Sequence, residues 1–182
     1  MTGRLLRLAA GTVLLSLISL PVCCGALAVA AAPVSIALPD CTLIDDNVAY
    51  NDADVVRIQR ARVGMVSDAL RARLRETGHY RVADTQPAAA LIARLGTTQD
   101  PTGCGDCARQ VGRTLGVEQV GTCWVQKVSN LILNINLRVD DVASGRTLFE
   151  RSVDMRGNTD RSWRRGADAL VELLIDTAAA SP

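Results

Sequence analysis

The sequence contains one pair of residues whose spacing is typical of catalysis, the Cys104-Gly-Asp-Cys107 motif. A C-x-x-C pair at a helix N-terminus has a lowered thiol pKa and supports thiol–disulfide exchange. A thiol–disulfide redox protein using Cys104 and Cys107 is therefore one hypothesis. Enzymes of the thioredoxin type place a cis-proline opposite this pair on a later strand, and this chain has no proline between Pro101 and Pro182. We therefore favour a structural disulfide between Cys104 and Cys107.

The other cysteines limit the metal sites that the chain can build. Cys23 and Cys24 lie in an N-terminal segment that we expect to be removed, so four of the six cysteines remain. An even count in an oxidising compartment favours disulfides. Cys41 and Cys123 are then either free and buried or joined to each other. A zinc site is not predicted, because no second paired spacing is present and His79 is the only histidine.

The remaining polar residues do not assemble into a nucleophile and its base. His79 follows a glycine at a helix-to-strand junction, where a lone histidine is usually a surface residue. Asp45 with Asp46, and Asp140 with Asp141, are adjacent carboxylates, and adjacent residues of a strand point to opposite faces. The sequence therefore predicts a protein that is not an enzyme and that binds no cofactor and no metal.

The N-terminus is typical of a secretory signal peptide. A short basic start is followed by an apolar run over residues 8–22 and then by small residues that permit cleavage after Ala30. We therefore expect residues 1–30 to be a cleaved signal peptide and residues 31–182 to be a single α+β domain. This organisation predicts a periplasmic, secreted protein.

Anchoring as a lipoprotein is not expected. Val22 precedes Cys23 at the position where a lipobox requires Gly, Ala or Ser. The formal net charge of +1 also argues against nucleic acid as a partner, because binding to phosphates requires a net basic face. Composition and export signal together favour a protein partner in the cell envelope.

Hydrophobic periodicity predicts an alternation of strands and helices. The predicted elements, in order, are a strand at 34–38, a solvated loop at 41–54, a helix at 54–77, a strand at 80–83, a helical segment at 88–95, a helix from about 104 to 116, strands at 119–128, 131–141 and 146–155, and a helix at 160–178. Short turns join the last three strands, so they must be antiparallel neighbours. The predicted fold is α+β, a mixed sheet with helices packed mainly on one face.

The hairpin formed by the first two of these three strands is the candidate binding region. Its turn at Ser129-Asn130 is followed directly by apolar residues, which leaves an apolar corner. In the second strand, alternation places Leu133 and Ile135 on one face and Asn134 and Asn136 on the other. Lys127 is the only lysine of the chain. The candidate binding residues are Trp124, Gln126, Lys127, Asn130, Leu131, Ile132, Asn134 and Asn136.

Two resemblances extend this interpretation. The segment 115–149, with its Leu-Gly start and its Asp-x-x-x-Gly turn, resembles the N-terminal domain of TolB, which implies the same sheet order. The strings Trp124-Val-Gln-Lys-Val-Ser-Asn-Leu-Ile-Leu-Asn-Ile-Asn136 and Asp154-Met-Arg-Gly-Asn-Thr-Asp160 resemble the DUF3280-type family of small exported proteobacterial proteins of unknown function. That resemblance implies a periplasmic location and an association with a quinoprotein alcohol-oxidation system.

The sequence therefore predicts a periplasmic, non-enzymatic binding or accessory protein that contacts another periplasmic or envelope protein. The exposed sheet face and the hairpin corner are the predicted contact surface. Two alternatives remain open, a periplasmic thiol–disulfide redox protein using Cys104 and Cys107 and a structural component of the envelope.

Overall fold

A computed structural model describes residues 32–98 and 103–180. Its elements are β1 (Val34–Ala37), β2 (Thr42–Asp45), α1 (Ala53–Glu76), β3 (Tyr80–Val82), α2 (Ala89–Thr98), α3 (Cys107–Leu115), β4 (Gln119–Lys127), β5 (Ile132–Asp141), β6 (Thr147–Arg156) and α4 (Asp160–Ala180), with 3-10 turns at Val48–Tyr50 and Gln86–Ala88. No helix of this part is long and apolar enough to cross a membrane. The predicted signal peptide and Cys23 lie outside the described residues, so the division into 1–30 and 31–182 stays a prediction.

The strands form one mixed sheet in the order β3-β1-β4-β5-β6, and β2 also pairs with β4. β1 and β2 run parallel to β4, whereas β4, β5 and β6 form an antiparallel meander. The α+β class, the mixed sheet and the closing meander are confirmed.

β1 and β2 occupy the same position in the sheet, one after the other along β4. Ala37 pairs with Val120, and Thr42 pairs with Trp124. The chain advances five residues from Ala37 to Thr42, whereas β4 advances only four between their partners. The connection therefore contains one extra residue, as in a β-bulge. The segment 41–54 was predicted as a solvated loop, and the strand at Thr42–Asp45 corrects that prediction.

Helices cover the two faces of the sheet unequally. α1 and α4 cover most of one face, where Leu70 and Trp163 belong to the same core cluster as Val125 and Ile135. On the other face, α3 packs against β1 and the start of β4, where a Cβ on Gly112 would lie 3.3 Å from Val120 Cβ. Further along this face α2 lines a small pocket with Thr42 and Thr122, and beyond it Trp124, Gln126 and Asn134 are partly exposed.

Two disulfides are present. Cys104 pairs with Cys107, as predicted, at the start of α3. Cys41 and Cys123, whose state the sequence left open, are joined to each other across 82 residues. This second bond ties the irregular connection between β1 and β2 to the centre of β4.

Candidate binding surface

The apolar corner of the β4–β5 hairpin is exposed. Ser129 closes the turn, since its Oγ accepts hydrogen bonds from the N–H groups of Leu131 and Ile132 at 3.2 and 3.1 Å. The local bonds leave the apolar side chains outside, with Leu131 81% and Ile132 60% exposed. The corner is thus held in shape by polar contacts while its apolar groups face solvent.

A second apolar segment lies directly beside this corner. The 3-10 turn Val48–Tyr50 is 60% exposed at Val48 and 88% at Tyr50. Asn47 connects it to the hairpin, because its Nδ2 donates to the carbonyl of Val128 at 2.6 Å. Five of the seven exposed large hydrophobic residues in the described chain therefore lie at one end of the sheet, and we call them the apolar end: Val48, Tyr50, Val128, Leu131 and Ile132.

Lys127 does not belong to the exposed surface, which corrects its predicted placement there. Its Nζ lies 3.0 Å from Asp45 Oδ2, and the two side chains are only 3% and 4% exposed. Alternation along β4 turns Lys127 toward the helix-covered face, like Val125. Lys127 therefore supports the apolar end from beneath.

The environment of Asp45 keeps its carboxylate charged. Burial alone raises the pKa of Asp45, but hydrogen bonds from Lys127, the Asn47 N–H and the Asn51 amide together lower the pKa below its usual value. The bonds from Asn47 and Asn51 measure 3.0 and 2.7 Å. One carboxylate thus fixes β2, the 3-10 turn and β4 against each other.

The polar residues of the hairpin form the adjacent open face of the sheet. Trp124 pairs with Asn136 and Gln126 with Asn134, so the four side chains share one face. Asn136 Nδ2 donates to Asn134 Oδ1 at 2.8 Å and to the Trp124 carbonyl at 3.3 Å. Trp124, Gln126 and Asn134 are partly exposed, whereas Asn136 is buried. A binding role for these residues stays a prediction.

The remaining candidate, Asn130, is engaged with the protein itself. Its Oδ1 accepts from Asn158 Nδ2 at 3.1 Å, which ties the hairpin turn to the loop before α4. The sequence-based selection missed Val48 and Tyr50, which stand among acidic and amide residues. Two large apolar side chains within a polar loop are the signal that could have identified them.

The Cys104–Cys107 pair lies at the start of α3, where Cys107 lines a small pocket with Gly121, Thr122 and Cys123 of β4. Cys107 is buried and Cys104 is partly exposed. Asp106 lies between them, and a hydrogen bond from Arg113 lowers its pKa. No group of three or more His, Cys, Asp or Glu side chains that could hold a metal ion occurs within 32–98 and 103–180.

Solved structures share this fold at low sequence identity. Lipoprotein GNA1162 from Neisseria meningitidis matches with a TM-score of 0.50 and 18% identity, over 82% of this chain and 99% of that chain. LpoB from E. coli matches with a TM-score of 0.51 and 14% identity, over 70% of this chain and 58% of that chain. TolB from Acinetobacter baumannii matches with a TM-score of 0.48 and 13% identity, over 82% of this chain and 29% of that chain.

The family is determined by sequence. No curated protein matches the chain. The model of the DUF3280 family, described as a protein of unknown function (DUF2380), matches residues 34–174, which contain every described strand and most of α4. The chain therefore belongs to the DUF3280 family of proteins of unknown function.

Proposed function

We propose that this protein is a periplasmic, non-enzymatic binding or accessory protein whose apolar end contacts another protein of the cell envelope. The observation that carries the proposal is the grouping of five exposed large hydrophobic side chains at one end of the sheet. Grouped apolar side chains on a protein surface mark interaction sites more often than scattered ones. Burying one such side chain in an interface contributes about 1.5–3 kcal/mol.

The support beneath the apolar end favours a role in binding. A buried ion pair is a poor means of gaining stability, because removing two charges from water offsets much of their attraction. The Asp45–Lys127 pair instead fixes the 3-10 turn to the hairpin, so that Tyr50 and Leu131 have a defined relative position. A surface whose geometry exists before binding loses less entropy when a partner docks.

The polar sheet face beside the apolar end completes the proposed surface. Gln126 and Asn134 offer amide donors and acceptors, and Trp124 offers an amphipathic ring. Interfaces commonly combine an apolar centre with such a polar rim. The fold shared with lipoprotein GNA1162 supports an envelope location. Association with a quinoprotein alcohol-oxidation system stays a prediction that neither the fold nor the comparisons support.

The test is quantitative affinity capture from a periplasmic extract. The double variant Leu131→Asp, Ile132→Asp places two charges in the apolar end, and we expect it to lose the partners that the wild type recovers. Leu173→Asp, at an exposed position of α4, is the matched control and should retain them. Equal recovery by the folded double variant would refute the apolar end as the interface, and enrichment of peptidoglycan or lipid alone would favour the structural alternative.

A thiol–disulfide redox role is the second candidate. The partly exposed Cys104 precedes a buried Cys107 at the start of α3, so an attacking thiol reaches the outer sulfur more readily. We would titrate the pair against glutathione and assay insulin reduction, with Cys104→Ser, Cys107→Ser as control. Failure of the reduced wild type to exceed that variant would exclude redox catalysis.

A further inference from the structure

The sheet has an unfilled position beside β2. β3 fills the equivalent position beside β1 but ends at Val82, opposite Ile36, where the Ala83 N–H makes a last bond to the Ile36 carbonyl at 2.8 Å. Within the described residues, β2 pairs with β4 alone. One edge of β2 is therefore open.

The hydrogen-bonding groups on this edge follow from the register. The Asp46 N–H donates to the Lys127 carbonyl at 3.1 Å, so residues of the same parity, Thr42 and Ile44, direct their backbone groups toward β4. Leu43 and Asp45 then direct their N–H and C=O groups to the unfilled side, because alternate residues of a parallel strand bond to opposite neighbours. An exposed row of this kind is a template for another strand.

A groove runs along this edge beneath α1. The space, about 440 Å³, is bounded by β2, the 3-10 turn and one side of α1. We call it the edge groove, and the residues that line it are Thr42, Leu43, Asp45, Val48, Asn51, Val56, Gln59, Arg60 and Val63.

Gln59 gives the groove a polar group without a partner. The residue is only 3% exposed, and its Oε1 has no hydrogen bond to any described residue. Leaving a buried amide oxygen unbonded costs free energy, so such a group indicates a missing donor. A backbone N–H of an added strand is a donor of the required kind.

The other lining residues define which side chains such a strand would carry. Leu43 of β2 and Val56 and Val63 of α1 make the inner wall of the groove apolar. Arg60 is exposed and has no ion pair with a described residue, so it favours an acidic side chain in its neighbour. An extended segment with apolar side chains on one face and one carboxylate fits this lining.

We propose that the edge groove binds an extended peptide segment of the partner protein as an additional strand on β2. The segment bonds to the backbone of Leu43 and Asp45 and donates an N–H to Gln59, which is β-strand addition. Val48 belongs to both the groove and the apolar end, so the two surfaces are continuous. The inference rests on the proposed function for the identity of its partner and deepens it by naming how that partner is held.

Fluorescent eight-residue peptides test this inference. The probe has valine at alternate positions, threonine between them and glutamate in place of the last valine; a second version carries lysine there. We expect saturable binding of the glutamate peptide, measured by fluorescence anisotropy. N-methylation of alternate amides in the register that faces β2 abolishes binding, whereas methylation in the opposite register leaves it intact. Equal binding of both methylated peptides, or no binding of any peptide, would overturn the proposal.

Two variants test the residues in the groove. Gln59→Leu keeps the side-chain volume and removes the acceptor, so we expect about tenfold weaker binding. Arg60→Glu should reverse the preference in favour of the lysine peptide. Unchanged affinity in Gln59→Leu, with the fold intact by circular dichroism, contradicts the proposal. A concentration-dependent dimer that Gln59→Leu disrupts would also overturn it, by assigning the groove to a second copy of this chain.

One further variant separates this inference from the proposed function. Leu131→Asp, Ile132→Asp leaves the edge groove unchanged, so it should bind the peptide like the wild type while losing partners in the capture experiment. If the wild type binds the peptide but captures no partner, the edge groove is supported as a peptide site and the apolar end is contradicted as an interface. The opposite outcome is that partner capture depends on Leu131 but not on Gln59 and that no peptide binds. This outcome would support the apolar end as the interface and contradict peptide binding in the edge groove.

Discussion

β1 and β2 occupy one position in the sheet, but their surroundings differ. β1 has β3 on its outer edge and helices on both faces, and its residues Ile36 and Ala37 are buried. β2 has no described strand on its outer edge, and all four of its residues are partly exposed. β1, the first half of this strand position, is therefore packed within the core, whereas β2, the second half, remains accessible to solvent.

The accessible half is stabilised by a few specific bonds in addition to the packing of Leu43 against the core. At the junction, the Cys41–Cys123 disulfide and the hydrogen bond from the Cys41 N–H to Ser67 Oγ, at 2.9 Å, attach the chain to β4 and α1. At the far end, the Asp45–Lys127 ion pair attaches β2 to β4 again. A surface can therefore stay open and still have fixed geometry when its attachments lie beneath it.

Removing the Cys41–Cys123 disulfide at the junction should cause the largest loss of stability in the accessible half. Cys41→Ala, Cys123→Ala removes a bond between residues 82 positions apart, and chain entropy predicts a loss of about 4.5 kcal/mol in the free energy of unfolding. Cys104→Ala, Cys107→Ala opens a four-residue loop and should cost about 2 kcal/mol. Urea unfolding of both variants measures the difference. Equal losses would show that the junction bond does not determine the stability of the accessible half.

The next effect should come from Lys127→Met. This change leaves the Asp45 carboxylate buried without its counter-ion, and we expect it to lower the free energy of unfolding by about 3 kcal/mol. Asp45→Asn combined with Lys127→Met removes both charges and should recover most of that loss. If the double variant is as unstable as the single one, the pair does not act through its charge.

A smaller effect is the dependence of stability on acid. Because the folded-state pKa of Asp45 is lowered, its contribution is fully present above the carboxyl pKa of the unfolded chain, about 4, and is lost as the pH falls further. The stability advantage of the wild type over Asp45→Asn, Lys127→Met should therefore shrink below about pH 4. Thermal unfolding between neutral pH and about pH 3 measures it, and an advantage that stays constant would contradict the role of Asp45.

The smallest effect on stability should come from Leu131→Asp, Ile132→Asp. Both side chains are exposed, so the free energy of unfolding should change by less than about 0.5 kcal/mol. Denaturant unfolding measures this change, with Leu173→Asp for comparison. A large loss would indicate that the apolar end is packed in the folded protein, and the distinction between supporting bonds and exposed surface would fail.

How well sequence predicts this structure also differs between the two halves. The meander and its faces follow from the alternation of residues such as Leu133 and Asn134, which local pattern determines. β2 escaped prediction because its four residues lie between an irregular connection and an acidic stretch, and their pairing with β4 is non-local.

Two further features depend on contacts distant in sequence. Lys127 was predicted to lie in the contact surface of the hairpin, and its burial depends on Asp45, which lies 82 positions away. The joining of Cys41 and Cys123 likewise requires the register of β2 on β4. Gln59 lies in a regular helical pattern, so the sequence does not mark it as a binding residue. Only its position beside the open edge of β2 identifies its amide oxygen, which is unpaired among the described residues, as a candidate acceptor for a bound strand.

The most direct test of the apolar end as a protein contact is site-specific photocrosslinking in living cells. A photoreactive amino acid at position 131 should give a discrete adduct with one envelope protein, and Ile132→Asp should abolish it. The same amino acid at position 173, on the exposed side of α4, should give no such adduct. Identical adducts from both positions, or none from position 131 in the folded and exported protein, would contradict the account.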